Sequence, residues 1–211
     1  MLLYYITDRT QFAGTDSQRR ERLLKKIAET AHAGVDYVQL REKDLTAHEL
    51  ESLAQEAAQA IRDSGTRTRL LINSRTDIAL VAPADGVHLK SNDISPLEVR
   101  KIWHEAEGSG EPVVAVSCHN EAEVITAESA AADFVVFGPV FEKRAAEKLP
   151  GMGLDQLRQA CRHRVPVLAL GGVTAENARL CLEAGARGIA GIRLFQENDV
   201  AAVVRKLRAL R

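Results

Sequence analysis

Gln39, Arg41 and Lys43 stand at alternate positions in the run Gln39-Leu40-Arg41-Glu42-Lys43. Alternate side chains of an extended segment share one side, and an amide, a guanidinium fork and an ammonium gathered there suit phosphate or pyrophosphate oxygens. The same residues also read as loop ion pairs, Arg41 and Lys43 being partnered by Glu42 or Asp44. A second anion signal lies in the last quarter, in Leu170-Gly171-Gly172-Val173-Thr174 and Ala190-Gly191-Ile192-Arg193. Glycine lets backbone N–H groups approach an oxyanion closely, a helix N-terminus adds a favourable dipole, and Arg193 adds a fork of donors.

The candidate acid/base is His119, in Ser117-Cys118-His119-Asn120. Of the six histidines, His32, His48, His104 and His163 fall on expected helices or their ends, and His88 lies inside an expected strand as a packed or hydrogen-bonded ring. His119 alone follows a strand end, and imidazole, with an ordinary pKa of about 6.5, is suited to moving protons near neutral pH. Cys118 beside it is a poor nucleophilic partner, because neighbours on an extended segment point apart. Asn120 reads as the N-cap of the next helix.

The elements that must position these residues recur. Ala33-Gly34-Val35-Asp36-Tyr37-Val38, Ala84-Asp85-Gly86-Val87, Ala131-Ala132-Asp133-Phe134-Val135 and Ala184-Gly185-Ala186-Arg187-Gly188-Ile189 each pass from small residues into an apolar run. Short apolar runs of this kind suit strands buried on both faces. Strands are expected over 2–7, 37–40, 70–72, 86–89, 113–116, 134–137, 167–170 and 188–192. Helical periodicity covers 18–33, 47–64, 76–81, 96–107, 121–130, 154–161, 175–184 and 199–210. Ser17, Ser95 before Pro96, and Thr174 with Asn177 three residues on supply helix starts.

Eight alternating pairs predict one α/β domain over residues 1–211, a (β/α)8 TIM barrel with its chemistry at the rim where strands end. An open doubly wound sheet is the alternative, but it ordinarily has a glycine fingerprint after the first strand, where this chain has Thr7-Asp8-Arg9.

A formal charge of −1 argues against nucleic acid as partner. No apolar run is long enough to cross a bilayer, and Met1-Leu2-Leu3-Tyr4-Tyr5 lacks the basic region of a signal sequence, so no membrane partner and a cytoplasmic location are expected. Cys118, Cys161 and Cys181 have no metal-ligand spacing and read as reduced thiols. Apolar positions of the last helix, Ala201-Ala202-Val203-Val204, are compatible with a homodimer.

With these residues in place, the chain resembles the thiamine phosphate synthase/TenI superfamily over nearly its whole length. The matching stretches are Tyr5-Ile6-Thr7-Asp8, Val38 to Lys43, Leu71 to Ala79, Asp85-Gly86-Val87-His88-Leu89, Asp133 to Phe141, and Val167 to Val173. The resemblance implies the same barrel and small phosphorylated substrates. A synthase joins a pyrimidine pyrophosphate to a thiazole phosphate, with Mg2+ helping pyrophosphate to leave before the thiazole nitrogen attacks. The match puts Gln39, Arg41, Lys43 and Asn73 around the pyrimidine pyrophosphate. It puts Gly171, Gly172, Gly191, Ile192 and Arg193 around the thiazole phosphate.

Two departures shape the expectation. Synthases usually carry an acidic metal ligand after the Asn of the third strand; here Ser74 stands there, and only Asp93 keeps a ligand position. The synthase Thr-x-Thr-Lys loop is replaced by Lys143-Arg144-Ala145-Ala146, where Lys143, Arg144 or Lys148 could supply charge. These losses point toward the TenI branch and a thiazole tautomerase, which needs no metal cofactor and uses a histidine aligned with His119 as proton shuttle. A synthase with substituted ligands and Mg2+ is the second reading, and a non-catalytic sensor of thiamine precursors the third. The 142–152 segment is a candidate for a loop that closes over substrate.

Overall fold

The computed structural model describes residues 1–108, 110–141 and 151–210. Eight parallel strands close into a barrel in chain order: β1 Leu2–Ile6, β2 Tyr37–Leu40, β3 Arg69–Asn73, β4 Gly86–Leu89, β5 Val113–Cys118, β6 Phe134–Phe137, β7 Val167–Ala169 and β8 Gly188–Gly191. The seam closes by pairing Leu2 with Gly188 and Tyr5 with Gly191. Around the barrel lie α1 Asp16–His32, α2 Ala47–Asp63, α3 Thr76–Val81, α4 Pro96–Glu105, α5 Glu121–Ser129, α6 Gly153–Ala160, α7 Ala178–Glu183, α8 Arg193–Gln196 and α9 Val200–Arg208. The expected TIM barrel is the observed one.

Strand alternation sorts the side chains into two cores. Tyr4, Ile6, Leu71, Ala115, Phe134, Val136, Leu168 and Ala190 fill the barrel interior, while Leu3, Tyr5, Val38, Leu40, Ile72, Val87, Val135 and Ile189 face the helices. Cys118, which ends β5 on the outward side, is fully buried, and burial pushes its thiol up to about 12. Burial likewise raises Cys161 to about 11 and Cys181 to about 12. None of these thiols is activated.

The repeated junctions have a specific use at the rim where strands begin. Asp36, Asp85 and Asp133 each accept the backbone N–H of the second residue of the preceding strand, from Leu3, Leu70 and Val114, all at 2.7 Å. The fourth junction has Arg187 in that place, and its carbonyl accepts the Leu2 N–H at 2.9 Å, as the Asp36 carbonyl accepts Arg69 N–H at 3.0 Å. A carboxylate in this role satisfies a strand-end donor with a charge-assisted bond.

Helix starts differ from expectation in two places. α1 begins at Asp16 because Thr15, rather than Ser17, forms the capping box: its hydroxyl accepts from Gln18 N–H while the Gln18 amide returns to Thr15 N–H. Thr174 and Asn177 exchange their expected bonds, but around a non-helical turn, and α7 starts only at Ala178. The one-turn α8, inserted between β8 and α9, has no counterpart among the expected helices.

Candidate active site

At the rim where strands end, the loop carrying Arg41 is held by a buried acid. Glu42 accepts the Thr7 hydroxyl at 2.6 Å, the Arg9 N–H at 2.9 Å and the Arg9 guanidinium at 3.5 Å. Arg9 also binds Asp44 at 2.6 Å and Asp16 at 3.0 Å. Both carboxylates that the sequence offered to Arg41 therefore go to Arg9, and Arg41 makes no ion pair with another described residue. The Thr7 oxygen accepts the Arg41 backbone N–H at 2.9 Å, which fixes the main chain beneath the guanidinium. Burial raises the Glu42 carboxyl above the ordinary range, against the pull of the Thr7 hydroxyl and of the Arg9 N–H and charge.

Below that loop a chain of polar side chains crosses the barrel interior. Gln39 donates from Nε2 to the Tyr4 hydroxyl at 3.1 Å, Tyr4 bonds His88 Nδ1 at 3.0 Å, and His88 Nε2 bonds the Ser117 hydroxyl at 2.8 Å. Gln39, Tyr4 and His88 are almost wholly buried. Burial, helped by the Arg41 charge and opposed by Asp93, pulls His88 down to about 3, so its ring is neutral. Arg41 and Asp93 follow the ends of β2 and β4, which puts both at the same rim of the parallel barrel. Asn73 is its register neighbour on β3.

Asp93 is tied down as well. One of its oxygens, Oδ2, accepts the Ser74 hydroxyl at 2.7 Å and the Lys90 N–H at 2.8 Å. Ser74 sits at φ 55, in the left-handed region that short polar residues tolerate best after glycine. Among the described residues no group of three or more His, Cys, Asp or Glu side chains gathers in a metal-holding arrangement. The donor set at Asp93 is one carboxylate and one hydroxyl. That fits Mg2+, which keeps waters and takes further oxygens from substrate phosphates, but fits it loosely.

The glycine loops lie across the rim. Gly171 (φ 92) and Gly172 (φ 64) adopt conformations that side-chain-bearing residues avoid, and a Cβ on Gly171 would sit 2.5 Å from the Cα of Pro139. The Gly171 carbonyl accepts Phe141 N–H at 3.0 Å and the Gly172 carbonyl accepts Asn177 Nδ2 at 3.0 Å. With the carbonyls engaged on the protein side, the loop is held in one shape. Gly191 ends β8, and Ile192 and the exposed Arg193 lead into α8. α8 stands at the place where many phosphate-binding barrels carry a short extra helix.

His119 follows β5 on the rim, but its ring lies on the first turn of α5: Nδ1 is 3.1 Å from Glu123 Oε2, and the side chain is 54% exposed. Its backbone N–H goes to the same Glu123 oxygen, and Asn120 caps α5 as expected, accepting Glu123 N–H at 2.9 Å. The polar residue that β5 sends into the barrel is Ser117 instead. Lys143, Arg144, Ala145, Ala146, Lys148 and most of the proposed closing loop lie outside the described residues. Sequence reasoning missed Tyr4, Thr7 and Arg9. The signal available for Thr7 and Arg9 was the polar run Thr7-Asp8-Arg9 directly after β1; Tyr4, inside the strand, had none.

A closed parallel barrel whose strand ends gather a guanidinium, a carboxylate, buried neutral donors and two glycine loops defines a phosphate-handling (β/α)8 enzyme. The family model described as thiamine monophosphate synthase matches residues 3–195, and the chain belongs to that family. A thiamine-phosphate synthase of Syntrophomonas wolfei is 35% identical over 213 residues, covering 99% of this chain and 95% of the relative. One from Chloroflexus aurantiacus is 34% identical, covering 99% and 91%. Among solved structures, the thiamine phosphate pyrophosphorylase of Pyrococcus furiosus superposes with a TM-score of 0.80 at 27% identity, covering 99% of this chain and 94% of its own. These relatives carry synthase names, so the coupling reading, second on sequence grounds, is better supported than the tautomerase reading. No helix among the described residues is long and apolar enough to cross a membrane.

Proposed function

We propose that this chain is a thiamine phosphate synthase, joining a pyrimidine pyrophosphate to a thiazole phosphate with release of pyrophosphate. The observation that carries the reading is the allocation of charge around β2: Arg9 neutralises Glu42 and Asp44, leaving Arg41 for an anion at the rim. Coupling two phosphorylated halves requires an anion site for each, and Arg41 supplies one apart from the glycine loops. In this reading Gln39, Arg41, Lys43 and Asn73 hold the pyrimidine pyrophosphate. Gly171, Gly172, Gly191, Ile192 and Arg193 hold the thiazole phosphate. Arg41 stabilises the charge that builds on the departing pyrophosphate, and the glycine loops fix the thiazole so that its nitrogen meets the electron-poor pyrimidine carbon. Mg2+ would be held by Asp93 with the Ser74 hydroxyl, and when bound it neutralises pyrophosphate charge.

The test is incubation of the protein with both phosphorylated halves and Mg2+. Thiamine phosphate and pyrophosphate are expected in equal amounts, and absence of product above background would overturn the reading. His119→Asn separates it from the tautomerase reading. With its ring on Glu123 and half in solvent, His119 contributes little to coupling, and the variant is expected to keep its rate within about twofold. A loss of 100-fold or more, of the size expected for a general acid/base, would restore His119 as a catalytic residue (about 10²–10⁴ for such groups).

Ser74→Asp addresses the loose metal site. The left-handed backbone at residue 74 accepts Asp, and a second carboxylate beside Asp93 supplies the missing hard ligand. Mg2+ titrated calorimetrically into the pyrophosphate-loaded variant is expected to bind about tenfold more tightly than in the parent, the attraction exceeding the repulsion between the two acids only when the ion is present. Unchanged affinity would place the metal elsewhere.

A further inference from the structure

We infer that Tyr4 is a positioning residue: its phenol sets the direction of the hydrogen-bond chain from Gln39 through His88, so that Ser117 offers its hydrogen to the substrate end of the barrel. As a statement about the reaction this rests on the coupling reading; as a statement about the protein it does not.

The direction follows from counting hydrogens. The Gln39 amide donates from Nε2 to the Tyr4 oxygen at 3.1 Å. A phenol has one hydrogen to give, and with Gln39 on its acceptor side that hydrogen goes to His88 Nδ1 at 3.0 Å. A neutral imidazole carries one N–H, which must then be on Nε2 and points at Ser117 Oγ, 2.8 Å away. Ser117 Oγ is thereby an acceptor toward the protein, and its own hydrogen is left for a group outside the chain. Turning the Gln39 amide over would reverse every bond and make Ser117 spend its hydrogen on His88, so a single orientation at Gln39 decides what Ser117 can do three residues away along the chain of contacts.

Tyr4 is well placed to hold that orientation. Its ring is packed edge-on against Phe134 and Tyr37, with centroids 5.5 Å and 5.9 Å away, and lies 5.7 Å from the His88 ring. The hydroxyl therefore cannot swing between partners. Removing it leaves Gln39 Nε2 and His88 Nδ1, both in a dry interior, without the group that joins them, and nothing then selects one histidine tautomer over the other.

The experiment is long-range proton–nitrogen NMR of the histidine rings in the full chain, with His88 assigned by the signals lost in His88→Gln. The parent is expected to show His88 as the Nε2–H tautomer, with Nδ1 resonating as an unprotonated ring nitrogen. Tyr4→Phe is expected to give a mixture of tautomers and to lower the coupling kcat by about tenfold or more, with the KM for the thiazole phosphate unchanged because the glycine loops are untouched. An Nδ1–H tautomer in the parent overturns the proposal without recourse to any variant. So does a Tyr4→Phe protein with the parent's tautomer and kcat, which would leave Tyr4 as packing only. If neither half-substrate is turned over by the parent, the coupling reading fails while the tautomer measurement still decides the direction of the chain.

Discussion

Arg41→Met is expected to lower kcat/KM for coupling by roughly 100- to 1000-fold, the loss associated with removing one preorganised charge from a transition state. The expectation combines two features of the rim. Arg41 makes no ion pair with another described residue, since Glu42 and Asp44 are held by Arg9, so its charge is not consumed by the fold. Arg41 directly follows the end of β2, and its main chain is fixed there by Thr7, so the guanidinium starts from the rim where substrate would bind. Stability should move by no more than about 0.5 kcal/mol, because the side chain makes no hydrogen bond or ion pair with another described residue that the substitution would remove. Inhibition by added pyrophosphate should weaken in parallel with activity, a binding readout that does not require turnover. Arg41→Lys keeps the charge and loses the planar fork, so it should fall between parent and Met. An Arg41→Met protein that couples its substrates at the parent rate would remove the pyrophosphate from β2.

The barrel was legible because its signals are local and repeated. Small residues running into short apolar strands mark four of the junctions, and the aspartates within three of them turned out to cap strand ends. The glycine loop after β7 was legible for a similar reason, since backbone at positive φ, as at Gly171 and Gly172, favours glycine almost regardless of context. What stayed hidden were relations between distant residues. Nothing adjacent to Glu42 in sequence indicates that its partner is Arg9, 33 residues earlier. Nor does the strand pattern show that Tyr4 and His88, 84 residues apart, face each other inside the barrel. His119 illustrates the converse. Its position after a strand end was read correctly, but the bond to Glu123 that turns the ring toward α5 depends on a rotamer, which spacing alone does not fix.

Arg9→Ala is expected to destabilise the protein by roughly 3–5 kcal/mol, the cost of stranding one member of a buried ion pair. The Glu42 side chain is 1% exposed and that of Arg9 6%, so water cannot take the place of the lost guanidinium. Desolvation already raises Glu42 in the parent, and Arg9 is among the groups that restrain the rise; without it the folded-state value climbs further. A carboxyl raised above its unfolded value of 4.5 binds its proton more tightly in the folded chain, so it adds stability at low pH and loses that contribution as pH rises through the folded value. Asp44 behaves oppositely in the parent: the Arg9 bond lowers it, and the stability so gained is lost as pH falls through its folded value. The Glu42 effect narrows the gap between variant and parent as the solution is acidified toward pH 5, and the Asp44 effect adds to it only below about pH 3.8. Urea unfolding should therefore give the largest deficit near neutral pH and a smaller one near pH 5 (roughly 1.4 kcal/mol for each pH unit over which one proton is differentially held). Arg9→Met combined with Glu42→Leu should recover much of the loss, since no charge is then left buried, yet coupling should stay impaired because Thr7 loses the carboxylate that orients its hydroxyl under the Arg41 main chain. A deficit below about 1 kcal/mol in the single variant, flat across pH, would mean that the Arg9–Glu42 pair is not what holds this loop.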